Sequence, residues 1–126
     1  MSCIPFVESE DGLNLYYEVR GYGENVILLH WWTGNFRMYS DIINELSKRY
    51  SVIGIDMRGH GKSDKPRGAE YTVDALVRDL KTVIETLSID NPILIGHSMG
   101  GACAMDYAAK YDASRVVLIS TSSNFT

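Results

Sequence analysis

The chain has 126 residues, 45% of them hydrophobic, and a formal net charge of −4 at pH 7. That is material for one domain, apolar enough to bury a core, which excludes a disordered chain. The mild acidity, with no Lys/Arg cluster, excludes a general nucleic-acid binder.

From the N-terminus, MSCIPFVESEDG lacks the basic stretch leading into an apolar one that marks a secretory leader. Nowhere do apolar residues run to the ~18 that a membrane-spanning helix needs. The two cysteines, Cys3 and Cys103, form neither a CxxC pair nor a metal-ligand spacing. Together these predict a cytoplasmic protein with reduced thiols, no membrane contact, no bound metal and no cofactor.

Leu13, Leu15, Tyr17 and Val19 alternate with other residues just after the turn signal Asp11-Gly12. Period two after such a turn predicts a hairpin strand paired with Ile4–Val7. Further on, the apolar runs Val26–Leu29, Val52–Ile55, Ile93–Ile95 and Val116–Ile119 show no alternation. Strands buried on both faces read this way, as in a parallel sheet covered by helices. Helical spacing falls between the runs. Tyr39, Ile42, Ile43, Leu46 and Tyr50 mark one helix; Val73, Leu76, Leu80, Val83 and Leu87 mark the next, with Thr72 as its N-cap. A third helix is expected from Met99 to Lys110, with Ala102, Met105, Ala108 and Ala109 on its inner face. A hairpin followed by βαβαβαβ is an α/β architecture: a mostly parallel sheet with helices on both faces.

The third apolar run leads directly into Gly96-His97-Ser98-Met99-Gly100-Gly101 and then into a helix. A serine nucleophile needs its Oγ held clear of the backbone, and a tight strand-to-helix turn does this. Such a turn crowds its neighbours, so glycine two residues before and two after the serine is what the geometry requires. Ser98 is therefore the candidate nucleophile. The Met99 N–H, at the start of a helix, points to where a tetrahedral oxyanion would form.

Two more segments follow buried strands: His30-Trp31-Trp32-Thr33-Gly34 and Asp56-Met57-Arg58-Gly59-His60-Gly61-Lys62-Ser63. With the serine turn after them, the chain resembles the α/β-hydrolase family, of the esterase or peroxidase-like serine hydrolase type. The resemblance runs from about Val7 to Thr121. It implies that the backbone N–H of Trp32 is the second oxyanion donor. The chain departs from the family pattern at Trp31, where glycine is usual, and the side chains of Trp31 and Trp32 are expected to wall an apolar acyl pocket. The second segment looks like the family's D-x-R-G-H-G-x-S loop, which implies a structural role, with Asp56 and Arg58 holding the loop by hydrogen bonds. Haloalkane dehalogenases and epoxide hydrolases are similar but place aspartate at the elbow. Serine there implies acyl transfer to water from a small acyl substrate, or hydrolysis of an activated C–C bond.

A serine needs a general base and a group to orient that base. In the family both come after the serine in chain order, acid then histidine. Here Thr126 closely follows the Val116–Ile119 strand, and none of His30, His60 and His97 occupies the position of the family's base. The expectation is a single, incomplete α/β-hydrolase domain over residues 1–126, a truncated core ending after the sixth strand, with acid and histidine outside it. Val116–Ile119 would then be an exposed apolar edge, open to self-association or to a partner chain. Three alternatives stand beside the hydrolase: an inactive truncated scaffold, an edge-mediated binding protein, or one chain of a two-chain hydrolase.

Overall fold

The computed structural model describes residues 5–30 and 34–119. Strand β1 (Phe6–Glu8) pairs antiparallel with β2 (Asn14–Arg20), placing Val7 opposite Leu15. Both are buried, as period two demands of residues on one face. The intervening turn closes with the Ser9 N–H donating to the Leu13 carbonyl at 2.8 Å. Of the expected first strand, Ile4–Val7, Ile4 lies outside the described residues, and the described strand begins at Phe6.

Four parallel strands follow: β3 (Asn25–Leu29), β4 (Ser51–Ile55), β5 (Ile93–His97) and β6 (Arg115–Ile119). The sheet order is β1-β2-β4-β3-β5-β6, with β2 antiparallel to β4. The chain therefore moves from β3 outward to β4, then crosses back over β3 to reach β5. Right-handed crossovers in opposite directions put their helices on opposite faces. A 3-10 turn (Phe36–Tyr39) and helix α1 (Ser40–Leu46) cover one face, and α2 (Val73–Thr86) and α3 (Met99–Lys110) cover the other. Ile27, Leu28 and Leu94, in the central strands, are sealed from solvent. Each such side chain contributes about 1.5–3 kcal/mol over an exposed one.

Helix α2 begins where its cap was expected: the Thr72 side chain accepts the Ala75 N–H at 3.2 Å. Two inner faces differ from expectation. Ile42 is exposed, because the helix expected over 39–50 is a 3-10 turn joined to seven α-helical residues, and this joint shifts the phase. In α3 the inward stripe is Gly100, Cys103, Ala104 and Tyr107; Ala102 is buried, but Met105 and Ala108 are half-buried and Ala109 is exposed. The tight turn before α3 sets its rotation, and a helix this rich in alanine carries little hydrophobic signal to show it. Cys103 is fully buried, which pushes its thiol far above the usual range and makes it a small hydrophobe. Strand β6 has β5 as its neighbour and keeps Val117 46% and Leu118 41% exposed. Among the described residues, no helix is long and apolar enough to cross a membrane.

Candidate functional site

In an open α/β sheet, ligands sit beyond the carboxyl ends of the strands, where the winding direction reverses. Here that point lies between β3 and β5. His30 directly follows β3 and Ser98 directly follows β5.

The Ser98 backbone has φ 54° and ψ −114°, outside the regions that L residues favour. The Ser98 carbonyl accepts the Ala102 N–H at 3.0 Å, so α3 begins immediately after the strand ends. Space for so abrupt a turn comes from two glycines. A Cβ on Gly96 would strike the Gly100 carbonyl, and one on Gly100 would strike the Leu29 and His30 carbonyls. The Met99 N–H is among the first in α3 and has no carbonyl a turn earlier to receive it. Backbone held in such a region costs of order 1–3 kcal/mol, and glycine escapes most of it. Ser98→Gly is thus expected to raise stability by about 1 kcal/mol in thermal unfolding. Ser98→Ala keeps the Cβ and should bring no such gain.

The loop after β4 is built around two buried charges. Asp56 is sealed from solvent; its Oδ1 accepts the Phe36 N–H at 3.0 Å, and its Oδ2 accepts the Lys62 N–H and Arg37 Nη2, each at 2.9 Å. The Ser63 hydroxyl donates to the Asp56 carbonyl and accepts the Tyr16 N–H at 2.8 Å, which ties the loop to β2. Arg58 uses all five of its N–H groups. Nε and Nη2 donate to the two Asp79 oxygens at 2.7 and 2.8 Å. Nη1 and Nη2 donate to Asp11 at 3.0 and 2.8 Å, and Nη1 also donates to the Glu70 carbonyl at 2.7 Å. The structural role expected of Asp56 and Arg58 is what these bonds perform.

The sequence alone marks Asp11 only as part of a turn and assigns neither Asp11 nor Asp79 to Arg58. One signal was available: Asp79 sits beside Leu80 on the apolar side of α2, where a carboxylate needs a cation. Burial raises its carboxyl, against the pull of Arg58. Hydrogen bonds from Arg58, and then from Ser9, draw the half-exposed Asp11 down to about 2. A depressed acid stabilises the fold fully above its unfolded value of about 3.9 and loses that contribution as pH falls through its folded value. Asp11→Asn should therefore show a flatter decline in unfolding midpoint between about pH 4 and pH 2 than the wild-type chain.

His30 is fully buried, and its Nε2 accepts the Met57 N–H at 2.9 Å. His60 lies with Nδ1 2.9 Å from the Arg58 carbonyl, its ring centre 5.0 Å from that of His30. Both imidazoles are thus engaged by the backbone of the loop after β4. A cleft of about 570 Å³ opens between this loop and the one after β3, lined by Asn35, Gly59, His60, Lys65 and Tyr71 among others. Ser98 is not among its lining residues. Trp31 and Trp32, the expected pocket walls and second oxyanion donor, lie outside the described residues. Among the described residues, no group of three or more His, Cys, Asp or Glu is placed to hold a metal ion.

A family model described as alpha/beta hydrolase fold matches residues 24–126. An AB hydrolase superfamily protein of Bacillus subtilis is 41% identical over 120 residues, which is 91% of this chain and 44% of that protein. Epoxide hydrolase 3 of Mus musculus is 32% identical over 111 residues, 86% of this chain and 30% of that one. Among solved structures, an esterase from Exiguobacterium antarcticum superposes with a TM-score of 0.86 at 34% identity, over 92% of this chain and 44% of the esterase. The chain spans less than half the length of these relatives.

Proposed function

The chain belongs to the α/β-hydrolase fold family, and from that premise we propose that it carries the nucleophile half of an esterase-like serine hydrolase. The observation that carries this reading is the strained Ser98 backbone, packed between two glycines at the sheet's switch point. In this reading the Ser98 Oγ attacks the acyl carbon of an ester and its proton passes to a base. The carbonyl oxygen, now an anion, rests on the N–H groups of Met99 and Trp32. The alcohol then leaves with a proton, and water releases the acyl group by the reverse sequence.

The acid and the histidine of the triad lie outside residues 1–126 in this proposal. The backbone bonds that occupy His30 Nε2 and His60 Nδ1 support that placement. Epoxide hydrolases share the fold, as the mouse relative illustrates, but serine rather than aspartate at the elbow favours acyl transfer here. The test is covalent labelling. A fluorophosphonate probe should modify Ser98 in the polypeptide that carries the acid and histidine, and should leave its Ser98→Ala form untouched. Absence of label on the folded protein would overturn the assignment.

The exposed Val117 and Leu118 of β6 favour a second reading, in which the 126-residue chain acts through this edge and not as an enzyme. Turnover of p-nitrophenyl esters by this chain, well above a Ser98→Ala control, would sink that reading.

A further inference from the structure

The cleft of about 570 Å³ beside the loop after β4 takes no part in the chemistry at Ser98, yet its walls are braced from behind. The Tyr71 ring lies so close on Gly59 that a Cβ there would strike it, and the Tyr71 hydroxyl donates to the Pro66 carbonyl at 2.9 Å. Gly61 packs as closely on the buried Asp56 carboxylate. The charge of the cleft is one-sided. Among the described residues no Asp or Glu lines it, and Lys65 does. Lys65 Nζ donates to the Gly61 carbonyl and, at 3.2 Å, to the Ser63 carbonyl, both neutral acceptors. Elsewhere Lys48 and Lys110 rest on Glu45 and Asp106 at 2.8 and 3.0 Å; Lys65 forms no such ion pair among the described residues. The carboxylates near it in the chain are engaged otherwise. Asp64 accepts the Asn14 N–H at 2.9 Å, and Asp56 takes Phe36, Lys62 and Arg37. Asn35 adds donors to the lining, because its Oδ1 accepts the Arg37 N–H at 3.0 Å and its amide N–H groups remain to donate.

We propose that this cleft holds the far carboxylate of a dicarboxylic acyl group, with Lys65 as its counter-ion, so that the substrates are half-esters of long dicarboxylic acids. This rests on the acyl-transfer reading above and names its substrate class. An ammonium already fixed by two carbonyls loses little freedom when a carboxylate arrives, and the bond it forms is charge-assisted. The fold sets the length of the acyl chain. Strands β4 and β5 flank β3, and neighbouring strands lie about 4.8 Å apart, so the cleft and the Ser98 elbow are separated by roughly 10 Å. Suberate spans a gap of that order between its two carboxyl groups; succinate does not. Lys65 is exposed, so salt screens part of the attraction.

Two measurements test this. In the polypeptide that carries the acid and histidine, kcat/KM is compared for the mono-p-nitrophenyl ester of suberic acid and for p-nitrophenyl octanoate, which has the same length and no second carboxylate. Lys65→Met should lower the suberate-to-octanoate ratio about tenfold, the scale of one hydrogen bond to a charged group. Lys65→Glu should lower it further, and Lys65→Arg should keep most of it. A ratio unchanged in Lys65→Met and Lys65→Glu would overturn the proposal. In the 126-residue chain, suberate is titrated while amide resonances are followed by NMR. Those of Asn35 and of residues 59–65 should shift in wild type and stay in place in Lys65→Glu. The titration requires no chemistry at Ser98, so a wild-type polypeptide that turns over neither ester would count against the hydrolase reading alone. Shifts lost in Lys65→Glu would then still support the carboxylate site. Resonances that do not move in wild type, or that move equally in Lys65→Glu, would overturn it.

Discussion

Replacing Arg58 with methionine is expected to lower the unfolding free energy by about 3–5 kcal/mol, a large share of the stability of a domain this size. The guanidinium is buried and none of its five N–H groups is spare. Methionine fills much of the same volume, so the loss would not come chiefly from a cavity. It would come from Asp79, which is 8% exposed and would keep a buried charge without the guanidinium that is hydrogen-bonded to both its oxygens. Asp11 is half-exposed and can turn to water, so its share of the loss is small. The double variant Arg58→Met/Asp79→Leu should regain most of the stability, because replacing both members of a buried ion pair with apolar groups is often neutral or better. Urea unfolding of the two variants checks this. A double variant no more stable than the single one would move the cause to the Glu70 carbonyl and the loop it anchors.

The same bonds show where sequence reading stops. Strands β3, β4 and β5 were legible because residues buried on both faces leave unbroken apolar runs, β6 because it carries a similar run, and helix α2 because its apolar residues recur at helical spacing behind a capping threonine. The Ser98 turn was legible for a different reason: its crowding demands glycine at two fixed offsets, and the demand is local. Neither condition holds for the ties of Arg58. Asp11 and Asp79 stand 47 and 21 residues from it in the chain. Only the fold brings these elements to one place, and one carboxylate on an apolar helix face names no partner. The inner face of α3 was misplaced for want of contrast, since alanine is tolerated on either side of a helix. Strand β6 carries the apolar run of a buried strand and lies, as expected, at the sheet's edge, with Val117 and Leu118 exposed. Within the site, the β3 loop shows the same division. Its position after a buried strand was apparent, but the seat of the His30 ring on the Met57 N–H depends on the side-by-side pairing of β3 and β4.

Gly100→Ala puts the packing of the elbow to its hardest test, because local preference and tertiary packing act in opposite directions. Alanine is favoured over glycine inside a helix by about 1 kcal/mol, and Gly100 lies in the first turn of α3. On helix propensity alone the variant should be more stable. A methyl group there, however, would fall on the main-chain carbonyls of Leu29 and His30. These atoms cannot rotate aside as a side chain would. Leu29 is hydrogen-bonded in the middle of the sheet, and the His30 ring is fixed to Met57. Relief requires α3 to move off β3, which opens the core around Cys103 and Ala104 and draws Ser98 and Met99 away from the β3 loop. Overpacking of this kind costs about 1–3 kcal/mol when neighbours can yield. Here they are backbone, so a net loss above about 2 kcal/mol is expected. Ala109→Gly, on the exposed side of the same helix, supplies the control: it should lose only the ~1 kcal/mol of helix propensity. A Gly100→Ala chain as stable as wild type would mean that α3 does not rest on β3 as closely as described. The elbow would then have room it is not supposed to have.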